Sequence, residues 1–174
     1  DITWVLATVD SEPAGILRVH YAPPIDAYRK YDFEARADES GRNPLPEDVD
    51  VFLANNQIAE IGRFAVLPDY RRRLRVVFWL MRVAGVDTFE RGYSHYLTDV
   101  FEGEEHSPYN FHTRVLGFEP VATHEAGEMN CFHRRITLIL DLHQAYRRLK
   151  DSENRLYRFL ARGLTPQVQQ QITG

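Results

Sequence analysis

The chain has 174 residues, 44% of them hydrophobic and 26% charged, with a formal charge of −4, as expected for one globular domain with a core of its own. That balance excludes a global attraction to nucleic acid or anionic membrane, and a single cysteine, Cys131, excludes an internal disulfide framework and suits a reducing cytoplasm. No apolar run approaches the roughly 20 residues of an integral membrane segment, and the first residues alternate like a strand rather than a signal peptide.

In chain order, Trp4 to Val9 is expected to form a strand, Asp10 to Pro13 a turn, and Gly15 to Tyr21 the hairpin partner. In that partner Ile16, Arg18 and His20 share one face, and Leu17, Val19 and Tyr21 the other. Ala22 to Asp50 is polar and proline-punctuated, an excursion with one short helix around Ile25 to Tyr31; a connection of that length usually carries function or lacks order. Ala59 to Leu67 is a strand ended by Pro68-Asp69-Tyr70. The amphipathic helix that follows is opened by Arg71, Arg72 and Arg73, with Leu74, Val77, Phe78, Met81 and Ala84 on its apolar stripe. Tyr93 to Val100 is a strand. His112 to Leu116 is a short helix stopped by Gly117 ahead of a strand from Phe118. Cys131 to Leu140 is another strand, Leu142 to Arg162 an arginine-rich helix, and Thr165 to Gly174 a tail. This order implies an α/β (α+β) domain over residues 1–140, a mixed sheet with helices packed on it, and a helical C-terminal extension over 141–174.

The stretch Glu60-Ile61-Gly62-Arg63-Phe64-Ala65-Val66, followed by Pro68-Asp69-Tyr70-Arg71-Arg72-Arg73, resembles the central strand and following turn of the GNAT superfamily of N-acyltransferases. Its Glu-x-x-Arg-Phe core is similar to that of the autoinducer synthases and long-chain N-acyl amino acid synthases. Phe111 to Phe118 resembles the downstream family segment F-Y-x-x-x-x-G-F. The resemblance spans about Trp4 to Leu140 and implies a mostly antiparallel GNAT sheet flanked by helices. Three departures accompany it. Leu74 and Val76 stand where the family turn usually supplies glycines, as the autoinducer-type branch also tends to lack them. His112 replaces the usual tyrosine. The family's first strand and helices are expected ahead of Asp1.

What the resemblance implies is acyl transfer from a thioester carrier, acyl carrier protein or coenzyme A, to the amine of an amino acid or a similar small acceptor. Such a reaction needs a base for the amine, a donor for the oxyanion and an acid for the leaving thiolate. Glu60 is the candidate base, working through water; the alternatives are an exposed strand carboxylate or a partner for Arg63. A strand bulge would realign Arg63, which then either holds the acceptor or anchors the strand. Val66, Arg71, Arg72, Arg73 and Leu74 are the candidate donor site, since guanidiniums beside a helix N-terminus suit phosphates. His112 and His106 are candidate acids, with packing as the alternative for His112. Arg18 and Tyr109 join Arg63 as candidate acceptor contacts, Arg18 alternatively pairing with an acid across the sheet.

His124, His133 and His143 with Glu125 and Glu128 lack zinc-type spacing, so no metal is expected. Cys131 carries no nucleophile motif, and the helix from Leu142 reads as docked rather than membrane-bound. The rival functions are acetyl-CoA-dependent N-acetyl transfer and a degenerate GNAT domain that senses a ligand or binds a partner.

Overall fold

The computed structural model describes residues 1–21, 49–101, 103, 107–124 and 132–173. The helix expected around Ile25 to Tyr31 lies outside them. Strands β1 (Ile2–Val9) and β2 (Glu12–His20) form an antiparallel hairpin. Its two turn residues, Asp10 and Ser11, both have positive φ (51° and 70°), the backbone whose twist matches that of paired strands. Helix α1 (Val49–Asn55) closes the excursion and leads into β3 (Ile58–Val66). A 3₁₀ turn at Pro68–Tyr70 precedes α2 (Leu74–Glu90), which returns to β4 (His95–Phe101). A π-helical segment, Phe111–Leu116, ends at Gly117 with φ 83°, and is followed by β5 (Glu119–His124) and β6 (Arg135–Asp141).

The six strands form one sheet in the order β1-β2-β3-β4-β6-β5, antiparallel throughout except for β3 and β4. That parallel contact is short: Ile58, Ala59 and Glu60 face His95, Tyr96 and Leu97, and no later pair forms. Beyond it β3 follows β2 as far as Val66, while β4 follows β6 as far as Phe101. The sheet therefore splits into two wings just past Glu60 and Leu97.

One face of the sheet carries the main core. Leu17, Val19, Ile61, Tyr96, Leu138 and Leu140 are buried there beneath α2, which contributes Val76, Val77, Leu80, Met81 and Ala84. Leu74, expected on that stripe, is 52% exposed; the helix begins only at this residue, so its side chain precedes the first turn that meets the sheet. The opposite face holds a smaller apolar cluster of Phe52, Ile58, Leu97, Val121 and Ile139 under α1.

The C-terminal region departs from expectation twice. The single helix expected from Leu142 to Arg162 is two, α3 (Leu142–Asp151) and α4 (Arg155–Leu160). Asn154 breaks it because its side-chain oxygen accepts the Leu156 N–H at 2.9 Å, starting a new helix. The expected tail is helix α5 (Pro166–Thr173), whose Val168 and Ile172 are buried in the main core. Thr165 accepts from the Val168 N–H ahead of Pro166, a helix start that the residue types announce. Strand β6 also begins four residues later than expected, at Arg135, behind a Phe132 that is 94% exposed.

Candidate active site

Glu60 is the last β3 residue paired to β4, so its side chain stands at the fork of the sheet. It lies on the face carrying Ile58, and Arg18 from β2 reaches it with Nη2 to Oε1 at 2.5 Å. The side chains are 22% and 11% exposed. The partner of Glu60 in the sheet is thus Arg18, not Arg63, and of the two sequence readings of Arg18 the cross-sheet pair is the contact formed. The Arg18 Nε is buried with no hydrogen-bond acceptor among the described residues. Across the fork, on the same face, Arg135 Nη1 donates to Asp99 Oδ2 at 3.2 Å and Thr137 Oγ1 to Asp99 Oδ1 at 2.9 Å. The fork is therefore flanked by two arginine–carboxylate pairs.

Arg63 sits in the bulge that the sequence motif anticipates. Ile16 pairs with Ala65 but Arg18 with Gly62, leaving Arg63 and Phe64 opposite Leu17 alone. Arg63 has φ 52° and is exposed, and Phe64 thereby returns to the core face beside Ile61.

His112 lies on the other face of the sheet from Glu60. It is buried beside Leu17, Ile61, Phe64 and Thr98, with its ring edge-on to Phe64 and Phe118. Burial lowers its pKa, opposed by the hydrogen bond from Nδ1 to the Pro108 carbonyl at 2.9 Å. A carbonyl can only accept, so the neutral ring carries its proton on Nδ1 and Nε2 is an acceptor. In that state the ring donates Nδ1–H to Pro108 and leaves Nε2 as an acceptor. Tyr109, half-buried, packs on the same core, and its carbonyl accepts from Thr113 Oγ1 at 2.9 Å. His106, Glu125, Glu128 and Cys131 lie outside the described residues, among which no three metal-ligating side chains converge.

The arginines do not open α2, as expected, but occupy the turn ahead of it. The N–H groups of Tyr70, Arg71 and Arg73 close back on Leu67, Pro68 and Tyr70, which tightens the chain before Leu74. Arg71 Nε donates to the Val66 carbonyl at 3.3 Å, and Arg73 stacks on the Tyr70 ring. No side chain caps the helix. The N–H groups of Arg72, Leu74 and Arg75 form no turn or cap hydrogen bond among the described residues and lie beside exposed guanidiniums, an arrangement suited to phosphate oxygens without glycines.

Two cavities lie on the main-core face, the smaller one beside the fork. A small one, about 10 Å³, is bounded by Ile61, Gly62, Phe64, Thr98 and His112. A larger one of about 190 Å³ lies between α2, the π-helical segment, α3 and α4, and shares Met81 and Leu116 with the first. Its walls are largely apolar, including Phe78, Leu140, Leu149 and Leu160, with exposed Arg114 and Arg148 among its lining residues.

Several solved structures are similar to this one in fold. FeeM, an N-acyl amino acid synthase from uncultured soil microbes, matches with a TM-score of 0.59 at 11% identity, over 83% of this chain and 74% of that one. A protein from Desulfovibrio desulfuricans assigned to the GNAT family as an acetyltransferase matches with a TM-score of 0.53 at 16% identity, over 81% and 69%. The Brucella melitensis ribosomal-protein-alanine N-acetyltransferase matches with a TM-score of 0.52 at 11% identity, over 80% and 68%. The chain has the GNAT fold. No family model and no curated protein matches it. On this GNAT frame, sequence reasoning missed the Asp99–Arg135–Thr137 cluster and the cavity wall formed by Tyr146. Alternation on β4 and β6 places the first group on one face, but nothing in the residue order pairs the two strands.

Proposed function

We propose that this GNAT domain is an N-acyltransferase that moves a fatty acyl group from a thioester, acyl carrier protein or acyl-CoA, to the amine of an amino acid or similar small acceptor. The observation that carries the reading is the largely apolar cavity of about 190 Å³ between α2, α3 and α4, separated by Met81 and Leu116 from the small cavity beside the fork. An acetyl group would leave it empty, whereas an alkyl chain would bury apolar surface there, at about 25 cal/mol per Å². The presence of FeeM among similar folds agrees with this choice.

The two faces divide the chemistry. The thioester carbonyl sits in the fork, its chain toward the cavity and its phosphate arm toward the guanidiniums of Arg71, Arg72 and Arg73 and the N–H groups of Arg72 and Leu74, past Val66. The acceptor comes from the Glu60 face. Its neutral nitrogen attacks the carbonyl carbon, the C–S bond breaks, and the ammonium proton passes to Glu60 through water while the thiolate leaves. Arg18 orients the Glu60 carboxylate, and exposed Arg63, with Tyr109 on the far side, borders the acceptor's entrance. Coenzyme A or carrier protein acts as substrate, not as resident cofactor.

The acetyl-CoA reading draws on the open N–H groups at the turn, which suit a pyrophosphate. One experiment separates the readings. Bacteria overexpressing the full-length protein are expected to accumulate N-acyl amino acids, seen by mass spectrometry of lipid extracts, and Glu60→Gln is expected to abolish them. Products that persist in the variant would remove Glu60 from the reaction; a protein that transfers only acetyl groups would overturn the fatty-acyl reading. Ligand binding without any turnover would make the domain a sensor.

A further inference from the structure

At the fork, β3 carries a glycine that neither its backbone nor its packing requires. Glycine weakens the interior of a strand and marks a bulge, a close backbone approach or a place where a ligand comes near. Gly62 stands next to the bulge, yet the residue in the left-handed conformation is Arg63, with φ 52°, whereas φ at Gly62 is not positive. Nor does another described segment press on it. At Gly15, by contrast, a Cβ would meet the Ala65 carbonyl oxygen and the Leu80 side chain, each at 3.1 Å, so packing accounts for that glycine. A Cβ at Gly62 would meet only two atoms of the described residues within 4 Å, Arg18 Nη2 at 3.5 Å and Glu60 Oε1 at 3.9 Å, both ordinary contacts.

These are the two atoms that form the ion pair. Arg18 lies opposite Gly62 in the sheet, so the missing side chain leaves bare backbone beside the pair on its polar face. Of the guanidinium N–H groups, one on Nη2 is donated to Glu60, and no other reaches a described residue. A cation with donors left over and a carboxylate thus lie on either side of one empty point. They match the two ends of an α-amino acid, whose carboxylate and nitrogen flank a single carbon.

We propose that Gly62 is a specificity-determining residue, its bare backbone the floor on which an α-amino acid lies with its carboxylate toward Arg18 and its nitrogen toward Glu60. That this amino acid is the acyl acceptor rests on the transferase reading; its placement over Gly62 is read by binding alone. A side chain at 62 would stand where the ligand's α-carbon belongs, and an amine without the carboxylate would lose the contact with Arg18.

The test is calorimetric titration of the full chain with the standard L-amino acids, alone and with decyl-CoA, a thioether that cannot transfer its chain. The amino acid that binds most tightly is then compared with its amide and with the amine lacking the carboxyl group. Both are expected to bind at least about tenfold more weakly, the loss of one charge-assisted contact. Gly62→Ala should weaken binding of the amino acid about tenfold through the crowding of one added methyl group, and Gly62→Val should remove it. Both variants are expected to melt no lower than the native chain, since the added Cβ meets nothing described closer than 3.5 Å and glycine is the weaker strand residue. Gly62→Ala serves if Gly62→Val fails to fold. The proposal is overturned if no amino acid binds, if the carboxyl-free amine binds as tightly, or if the variants bind like the native chain. A Gly62→Ala protein whose melting temperature falls along with its affinity overturns it too, because the glycine is then structural. The expected binding pattern in a chain that acylates none of these amino acids overturns only the transferase reading.

Discussion

The two faces of the sheet at the fork differ in kind. On one, Arg18 holds Glu60 and Arg135 holds Asp99, so charges are paired and the surface is partly wet. On the other, His112 is kept neutral by burial beside Phe64 and Phe118, and the apolar cavity begins. The bulge at Arg63 lets one strand serve both, because the alternation that sends Glu60 to the polar face is reset before Phe64 reaches the apolar one. The proposed reaction, which joins a polar amine to a greasy thioester, would use this asymmetry, since neither substrate could be desolvated by the other's surface without loss.

The polar face should break first. Arg18→Met removes the guanidinium that holds Oε1 of a mostly buried carboxylate, and is expected to lower unfolding free energy by about 2–4 kcal/mol, allowing for partial exposure of the pair. In urea titrations, adding Glu60→Leu should restore most of that loss. If the double variant is no more stable than Arg18→Met, the pair is not what holds β2 to β3 at the fork.

A smaller effect is expected at the donor turn. Arg72→Ala removes a guanidinium that no described residue engages, and should raise KM for the acyl donor about tenfold with kcat nearly unchanged, as for loss of one charge-assisted phosphate contact. Steady-state kinetics in which kcat falls while KM holds would move the donor's phosphates away from this turn.

The smallest effect distinguishes the faces by pH. His112, His95 and His143 all have pKa values lowered, in each case first by burial. The unfolded chain therefore binds protons that the folded one refuses, so their contribution to stability is complete above the unfolded value of about 6.5 and is lost as pH falls below it. Melting temperature should drop between pH 7 and pH 5.5 (around the histidine range), and His112→Phe should make that slope shallower. An unchanged slope would mean that His112 already protonates in the fold.

Glu60, Arg63 and Phe64 were legible because a strand motif and a bulge are local features, and the basic turn was legible as a run of arginines following Pro68-Asp69-Tyr70. The helix at Pro166 was announced by Thr165-Pro166 and missed because its short apolar pattern resembles a tail. The break at Asn154 was similarly local, hidden inside an arginine-rich stretch of helical composition.

Residue order alone thus determined the strands, the crossover helix and the chemical character of the strand-and-turn segment, because propensity, alternation and turn chemistry act over a few residues. Tertiary structure decided that Arg18 rather than Arg63 meets Glu60, that His112 lies across the sheet from it, and that Tyr146 faces Gly85 over a cavity. Those placements relate residues separated by 42, 52 and 61 positions respectively, and only the pairing of strands and the packing of helices set them.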